Sequence, residues 1–470
     1  MTDLWRHSAI DLARTIAAGQ VSSAEVVEAH LARIEAVNPK LNAIVRVLAE
    51  PARVQARAAD AKVAAGEPLG PLHGVPITVK ENIDMAGLPT TSGVVAMAQA
   101  LVGLDAPVVQ RMLAAGAIPI GRTNLPDMAM RVHTDSSLHG LTRNPWARDR
   151  TAGGSSGGEG AAIASGMSPL GLGNDIGGSL RNPATACGIA SIRPSNGRVA
   201  HASVGPTPER LLATQFMAVQ GPMARRVADV RLGLQILSGS HPRDPLSLDV
   251  PFAGPPEPGR IRVALVAAPP GGDTDPAIVA AVGRAADALA DAGYEVVEVC
   301  PPRYEEAIDV WRRVLLGDLA AVMDEMAPLM GADGQAFLAA IDATVPPLAD
   351  APAFSRLLAR RDGIAHDWSV FLADHPLVLS PAWTQPPFEH GFDVASPESS
   401  RAVMDLVRPV LPANLLGLPS ACVPAGRDAA TGLPIGVLLT GRRMRDDLCL
   451  DAAEAVEARL GLPTPIDPAW

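Results

Sequence analysis

The stretch Thr151-Ala-Gly-Gly-Ser155-Ser-Gly-Gly-Glu-Gly160-Ala-Ala-Ile-Ala-Ser165-Gly-Met-Ser-Pro-Leu170-Gly-Leu-Gly-Asn174-Asp-Ile-Gly-Gly-Ser179-Leu-Arg181 decides how the chain is read. Its second half carries a short apolar run, Pro169 to Gly173, followed closely by two glycines and a serine. That pattern predicts a buried strand breaking at a tight turn into a helix. Such a turn brings several backbone N–H groups toward one point, which is what an oxyanion hole requires. The first half is a Gly/Ser-dense loop. A phosphate cradle would need a lysine followed by Ser or Thr after the last glycine, whereas Glu159-Gly160 follows and would repel phosphate. Upstream, Gly74-Val-Pro-Ile-Thr-Val-Lys80-Glu-Asn82 sets one lysine at the end of another apolar strand, the only lysine between Lys62 and the C-terminus. Desolvation at the end of a buried strand favours the neutral amine, which accepts a proton near pH 7. Arginine cannot do this, because it does not deprotonate.

Outward from these segments the text alternates. Residues 8–64 read as helices, opened by a capping box at Ser22-x-x-Glu25 with Val27, Leu31 and Ile34 at helical spacing. Val75 to Val79, Ala117 to Ile120, Arg262 to Val266, Tyr294 to Val299 and Gly436 to Thr440 read as strands. Ala106 to Ala115, Ala277 to Ala290 and Asp446 to Leu460 read as helices between or after them. The expected fold class is α/β: a large mixed, mostly parallel twisted sheet covered on both faces by helices. The Pro/Gly-rich joints at Pro251 to Pro258 and Pro381 to Pro387 read equally as domain boundaries or as loops within one domain. The expected organisation is one domain over residues 1–470, with a core of about 70–230 and a helix-rich insertion over about 304–375.

The chain has 470 residues, 48% of them hydrophobic but only 3% aromatic, so its core must rest on Ala, Val, Leu and Ile. A formal charge of −11 argues against a broad nucleic-acid surface. The four cysteines, Cys187, Cys300, Cys422 and Cys449, form no C-x-x-C pair, which fits a reducing cytoplasm. The opening Met1-Thr-Asp-Leu-Trp-Arg-His7 lacks a secretory pattern, and no run reaches the length of a membrane span. No H-x-H or H-E-x-x-H pair marks a metal, so neither metal nor cofactor is expected.

Taken together, the three segments resemble the amidase signature family, whose hallmark is a Ser–cis-Ser–Lys triad with the serines 24 positions apart. Ser155 and Ser179 have that spacing. Gly121-Arg-Thr-Asn-Leu-Pro-Asp127, Thr142-Arg-Asn-Pro-Trp146, Gly221-Pro-Met-Ala-Arg225, Asn414-Leu-Leu-Gly-Leu-Pro419 and Gly432-Leu-Pro-Ile-Gly436 also look like family blocks. The resemblance covers nearly the whole chain and is weakest over about 304–375. It implies that Ser179 is the nucleophile, Ser155 the proton relay and Lys80 the base. It further implies that the N–H groups of Ile176, Gly177, Gly178 and Ser179 form the oxyanion hole, with Asp175 and Arg181 supporting the turn. The implied partner is a small-molecule amide, with ester or carbamate cleavage also admitted, and the resemblance leaves a homodimer open. Nucleic acid and membrane are not expected partners.

The chain departs from the family at Asn174, where threonine is usual, and at Arg131-Val132, where small residues are common. Met130 and Arg131 are therefore candidate substrate contacts. Trp383 and Phe388, in the loop Pro381-Ala-Trp-Thr-Gln-Pro-Pro-Phe388, are expected to form an apolar pocket wall, with Trp311 and Trp368 as secondary candidates. Such a pocket favours aryl or long-chain amides. A Ser-His-Asp triad would have to use His73, His133 or His139, and none sits in a G-x-S-x-G context. The alternative function is the glutaminase subunit of a glutamine-dependent tRNA amidotransferase, although Val407-Arg-Pro-Val410 stands where that subunit would carry Asp-Ile-x-Thr.

Overall fold

Side chains along a strand alternate between faces, and two strands show what this does here. In Pro76–Lys80, Ile77 and Val79 join one apolar cluster, while Thr78 and Lys80 point to the other side of the sheet. In Leu170–Asp175, Leu170 and Leu172 join the same cluster, and the glycines between them leave the opposite face open to a closely packed helix. The computed structural model describes residues 3–203, 209–462, 464–468 and 470, so Met1 and Thr2 of the opening segment lie outside it.

The strands are β1 (Ile44–Val47), β2 (Pro76–Lys80), β3 (Ile118–Thr123), β4 (Asp135–Ser136), β5 (Gly140–Leu141), β6 (Leu170–Asp175) and β7 (Ala190–Arg193). They continue with β8 (Val219–Ala224), β9 (Arg262–Leu265), β10 (Glu295–Glu298), β11 (Leu377–Pro381), β12 (Ser420–Arg427) and β13 (Pro434–Gly441). Eleven of them form one sheet in the order β1-β3-β2-β6-β8-β7-β12-β13-β11-β9-β10, and β4 and β5 make a separate ribbon. One face is covered by the helices Val227–Leu237, Pro276–Asp291 and Asp446–Leu460. The other carries Gly157–Ala164, Arg181–Cys187 and Tyr304–Leu319.

The expected mixed sheet with helices on both faces is present, but parallel pairs do not predominate. Four neighbouring pairs are parallel, β2 with β3 and β6, and β9 with β10 and β11. Six are antiparallel. The reason is physical: a strand buried on both faces reads as the same apolar run whichever way its neighbour points. Strand β1 also interrupts the helical reading of residues 8–64. The span 304–375 holds the helices Tyr304–Leu319, Met323–Met326, Ala332–Asp342 and Ala351–Asp374.

Candidate active site

β2 and β6 run side by side in parallel, so their C-terminal ends meet at one edge of the molecule's core. Lys80 is the last residue of β2 and is fully buried. Its Nζ lies 2.7 Å from Ser155 Oγ and 2.6 Å from Asn174 Oδ1, both neutral partners. Burial pulls the Lys80 ammonium down to a pKa of about 7, against the weaker opposing pull of Asp175 and Glu159. Asn174 cannot turn its amide around, because its Nδ2 donates to Asn82 Oδ1 at 2.9 Å.

Ser155 reaches the lysine from the loop that enters the helix Gly157–Ala164. The Gly154–Ser155 peptide is cis. Thr134 pins this loop twice: its hydroxyl donates to the Gly153 carbonyl at 2.8 Å and accepts the Gly157 N–H at 3.1 Å. One turn into the helix, the Glu159 carboxyl accepts the hydroxyls of Thr78 and Thr123, the latter at 2.6 Å. Burial raises its pKa to about 7. Sequence reasoning used Glu159 only to exclude phosphate. In the structure it ties the helix that follows Ser155 to β2, which carries Lys80, and to the neighbouring β3.

The turn after β6 is built around Asp175. Its carboxylate accepts the N–H groups of Gly178 (2.8 Å) and Leu180 (3.1 Å), two bonds from Arg181 (both 3.1 Å), and Asn414 Nδ2 (2.7 Å). Arg181 also donates to Asn414 Oδ1 and the Val410 carbonyl. Burial alone would raise the Asp175 pKa, but the charge and hydrogen bonds of Arg181, with Arg193 and Asn414, together outweigh it and hold the carboxyl well below the usual range. Gly178 has φ +94°, a conformation that strains any residue with a Cβ. Its N–H differs from expectation: already bound to Asp175, it is not free for an oxyanion. Among the described residues, the N–H groups of Ile176, Gly177 and Ser179 have no such bond.

Ser179 lies on the wall of a cavity of about 270 Å³, lined mainly by apolar groups such as Met130, Leu211, Trp311, Leu315, Phe337 and Met404. Met130 stands where it was expected. Arg131 also lines the cavity, and its guanidinium is clamped to buried Asp393 by bonds of 2.8 and 3.0 Å. A buried guanidinium needs such a partner, which sequence position alone does not reveal. Trp383 and Phe388 do not line this cavity. They stack on each other at 6.1 Å, and the Trp383 indole N–H donates to Asn182 Oδ1 at 2.9 Å. Trp311, a secondary candidate, supplies the aromatic wall instead, while Trp368 packs on Tyr304. Asn82, Asn182 and Asn414 were not singled out from sequence, and only their place inside or beside the quoted motifs could have flagged them.

The three histidines of the rival triad stand elsewhere. His73 faces the Ala59 carbonyl, His133 is buried against the Thr151 hydroxyl, and none of the three lines the cavity. Among the described residues, no helix is long and apolar enough to cross a membrane.

Known proteins resemble this chain over nearly its whole length. An indoleacetamide hydrolase of Bradyrhizobium diazoefficiens is 44% identical over 462 residues, 98% of this chain and 87% of that protein. A glutamyl-tRNA(Gln) amidotransferase subunit of Salinispora arenicola is 32% identical over 99% of each chain. The solved structure of 6-aminohexanoate cyclic dimer hydrolase superposes with a TM-score of 0.86 at 29% identity, covering 100% of this chain and 99% of that one. The Amidase family model matches residues 25–450. The chain is an enzyme that cleaves amide carbon–nitrogen bonds, and it belongs to the amidase signature family.

Proposed function

We propose that this enzyme hydrolyses small neutral carboxamides bearing an apolar, aryl or alkyl acyl group, through an acyl-enzyme on Ser179. The observation that carries this reading is a buried amine with neutral partners, 2.7 Å from a serine hydroxyl, beside an apolar cavity that a second serine borders. Ser179 Oγ attacks the amide carbon. Its proton passes to Ser155, whose own proton moves to the neutral Lys80 amine. The carbonyl electrons collect on oxygen, where the N–H groups of Ile176, Gly177 and Ser179 receive them. When the C–N bond breaks, the proton held by Lys80 returns through Ser155 to the departing nitrogen. Water then enters by the same relay and releases the carboxylic acid.

The cavity's size and lining support the substrate class. Its volume of about 270 Å³ and its apolar lining suit a compact aryl or alkyl acyl group. The likeness to an indoleacetamide hydrolase supports an aryl-acetamide. A glutaminase role is less well supported, because a zwitterionic glutamine needs free charges of both signs. The two guanidiniums at the cavity, Arg131 and Arg312, are already paired with Asp393 and Asp405. A cytoplasmic setting is supported by four free cysteines, three of them buried.

A panel of aryl-acetamides, anilides, fatty amides, dipeptide amides, glutamine, carbamates and esters tests this reading. Aryl-acetamides are expected to turn over best, with an acyl mass adduct on the Ser179 peptide. Ser179→Ala is expected to abolish both turnover and adduct. Retained turnover in that variant, or a preference for glutamine, overturns the reading.

A further inference from the structure

We infer that Trp311 is a positioning residue for the oxyanion-binding turn, so that the wall that receives the acyl group also orients a catalytic N–H. The inference rests on the acyl-enzyme reading above and assigns a role to a residue outside the signature segments.

Side chains from different parts of the chain hold the peptide units of the turn. Gly178 N–H and Leu180 N–H are bound by Asp175. The Gly177 carbonyl accepts Asn182 Nδ2 at 3.1 Å, and Trp383 Nε1 fixes the orientation of that amide. The Ile176 carbonyl accepts the Trp311 indole N–H at 3.0 Å. In a trans peptide the carbonyl of one residue and the N–H of the next point to opposite sides. Holding the Ile176 carbonyl therefore fixes the direction of the Gly177 N–H, one of the donors left unbound within the chain. Without the indole donor, that peptide is free to rotate and turn its carbonyl toward the developing negative charge.

Two further observations bind Trp311 to this task. A Cβ built on Gly177 would lie 2.8 Å from Trp311 Cζ2, so the ring lies flush against the glycine and nothing larger fits there. The ring is nearly buried and forms part of the cavity wall with Leu315 and Leu316 of the same helix, Tyr304–Leu319. An acyl group seated in the cavity packs on the element whose N–H holds the turn. Fit of the acyl group is thereby coupled to the rate of the chemical step, not only to binding.

The test replaces Trp311 with 3-benzothienylalanine, which keeps the ring shape and deletes the N–H, alongside Trp311→Phe and Leu315→Ala. For the benzothienyl variant kcat is expected to fall by roughly tenfold or more, below the loss seen when an oxyanion donor itself is removed. KM should change less than twofold, and so should substrate affinity measured on a Ser179→Ala background. Affinity for an aryl boronic acid, which mimics the tetrahedral adduct, should weaken in step with kcat/KM. Leu315→Ala alters the same wall but keeps the indole N–H, so it should raise KM and lower kcat less than the benzothienyl variant does. An unchanged kcat in the benzothienyl variant overturns the inference, as does a loss carried by KM alone. Labelling of the native enzyme by a fluorophosphonate separates the two levels. Labelled Ser179 with an unaffected benzothienyl variant defeats only the role of Trp311, whereas no labelling defeats the acyl-enzyme reading and this inference with it.

Discussion

Lys80 shows how one atom's surroundings set the pH at which such a site works. In the proposed relay the base is the neutral amine, and burial brings its pKa to about 7. The sign follows directly: activity requires the deprotonated form, so kcat/KM should rise with pH through about 7 and then level. Below that point it should fall about tenfold per pH unit, as for any single essential base. Asn174 adds a means of moving this limb. Its Oδ1 accepts from Nζ at 2.6 Å, and its amide is oriented by Asn82. Asn174→Asp places a negative charge at that distance, which typically shifts a partner's pKa by about 1–3 units toward the charged form. The limb should move up by that amount, so activity at pH 7 should drop about fivefold or more and recover only above the shifted pKa, at about pH 8–10. A pH–rate profile with an unmoved limb would show that Asn174 does not act through Lys80. The lysine was legible in the sequence because it stands alone at the end of an apolar strand. Asn174 was visible only as a departure from the family, since no spacing rule says that its oxygen would meet an amine 94 residues away.

Elements were legible where local chemistry dictates them. The capping box at Ser22 and Glu25 forms as expected, with Ser22 Oγ accepting the Glu25 N–H and Glu25 accepting the Ser22 N–H. The helix Asp446–Leu460 has the bounds its amphipathic pattern implies. Contacts between distant elements were not legible. Trp383 and Phe388 follow β11 and turn into a stacked pair behind Asn182, because a buried indole N–H needs an acceptor and finds one there. The clamp on Arg131 was illegible for the same kind of reason. Its partner Asp393 sits 262 positions away in the short turn Phe392–Val394, and both side chains are almost completely buried. This clamp fastens the cavity wall at Met130 and Arg131 to the C-terminal part of the chain. Asp393→Ala leaves a buried guanidinium with only a long 3.4 Å contact to half-exposed Asp333. The expected cost is about 3–5 kcal/mol of unfolding free energy, read by urea denaturation. Exchanging both residues, as Arg131→Met with Asp393→Leu, should restore most of it. A single variant as stable as the wild type would mean the pair is not the fastener described here.

At the scale of the whole molecule, the site lies where parallel strands end side by side, at the junction of β2 and β6 with the antiparallel β8 beyond. Ligand sites of open α/β sheets gather at the carboxyl ends of such strands. The sequence could report that these strands exist but not their mutual direction, which is why a mostly parallel sheet was expected. It also could not reveal that the wall facing Ser179 comes from residues 311–341, because that contact spans well over a hundred positions. The net charge, by contrast, is a property of the whole and is read at once as −11. It bears on the reaction because a neutral amide becomes an anionic carboxylate. The two guanidiniums among the described residues lining the cavity are matched by Asp393 and Asp405, so neither is left to offset the field of the protein. At about 0.01 M salt that field reaches roughly 30 Å, and at about 0.15 M only roughly 8 Å. The carboxylate product should therefore inhibit a few-fold more tightly at about 0.3 M than at about 0.01 M salt, as screening removes its repulsion. For the uncharged amide, kcat/KM should stay nearly constant over the same range. The measurement is a product-inhibition series at several salt concentrations and fixed pH. Inhibition that weakens with salt would mean that a guanidinium in the cavity is free to bind the carboxylate, and the pairing of Arg131 and Arg312 would then have to open during turnover.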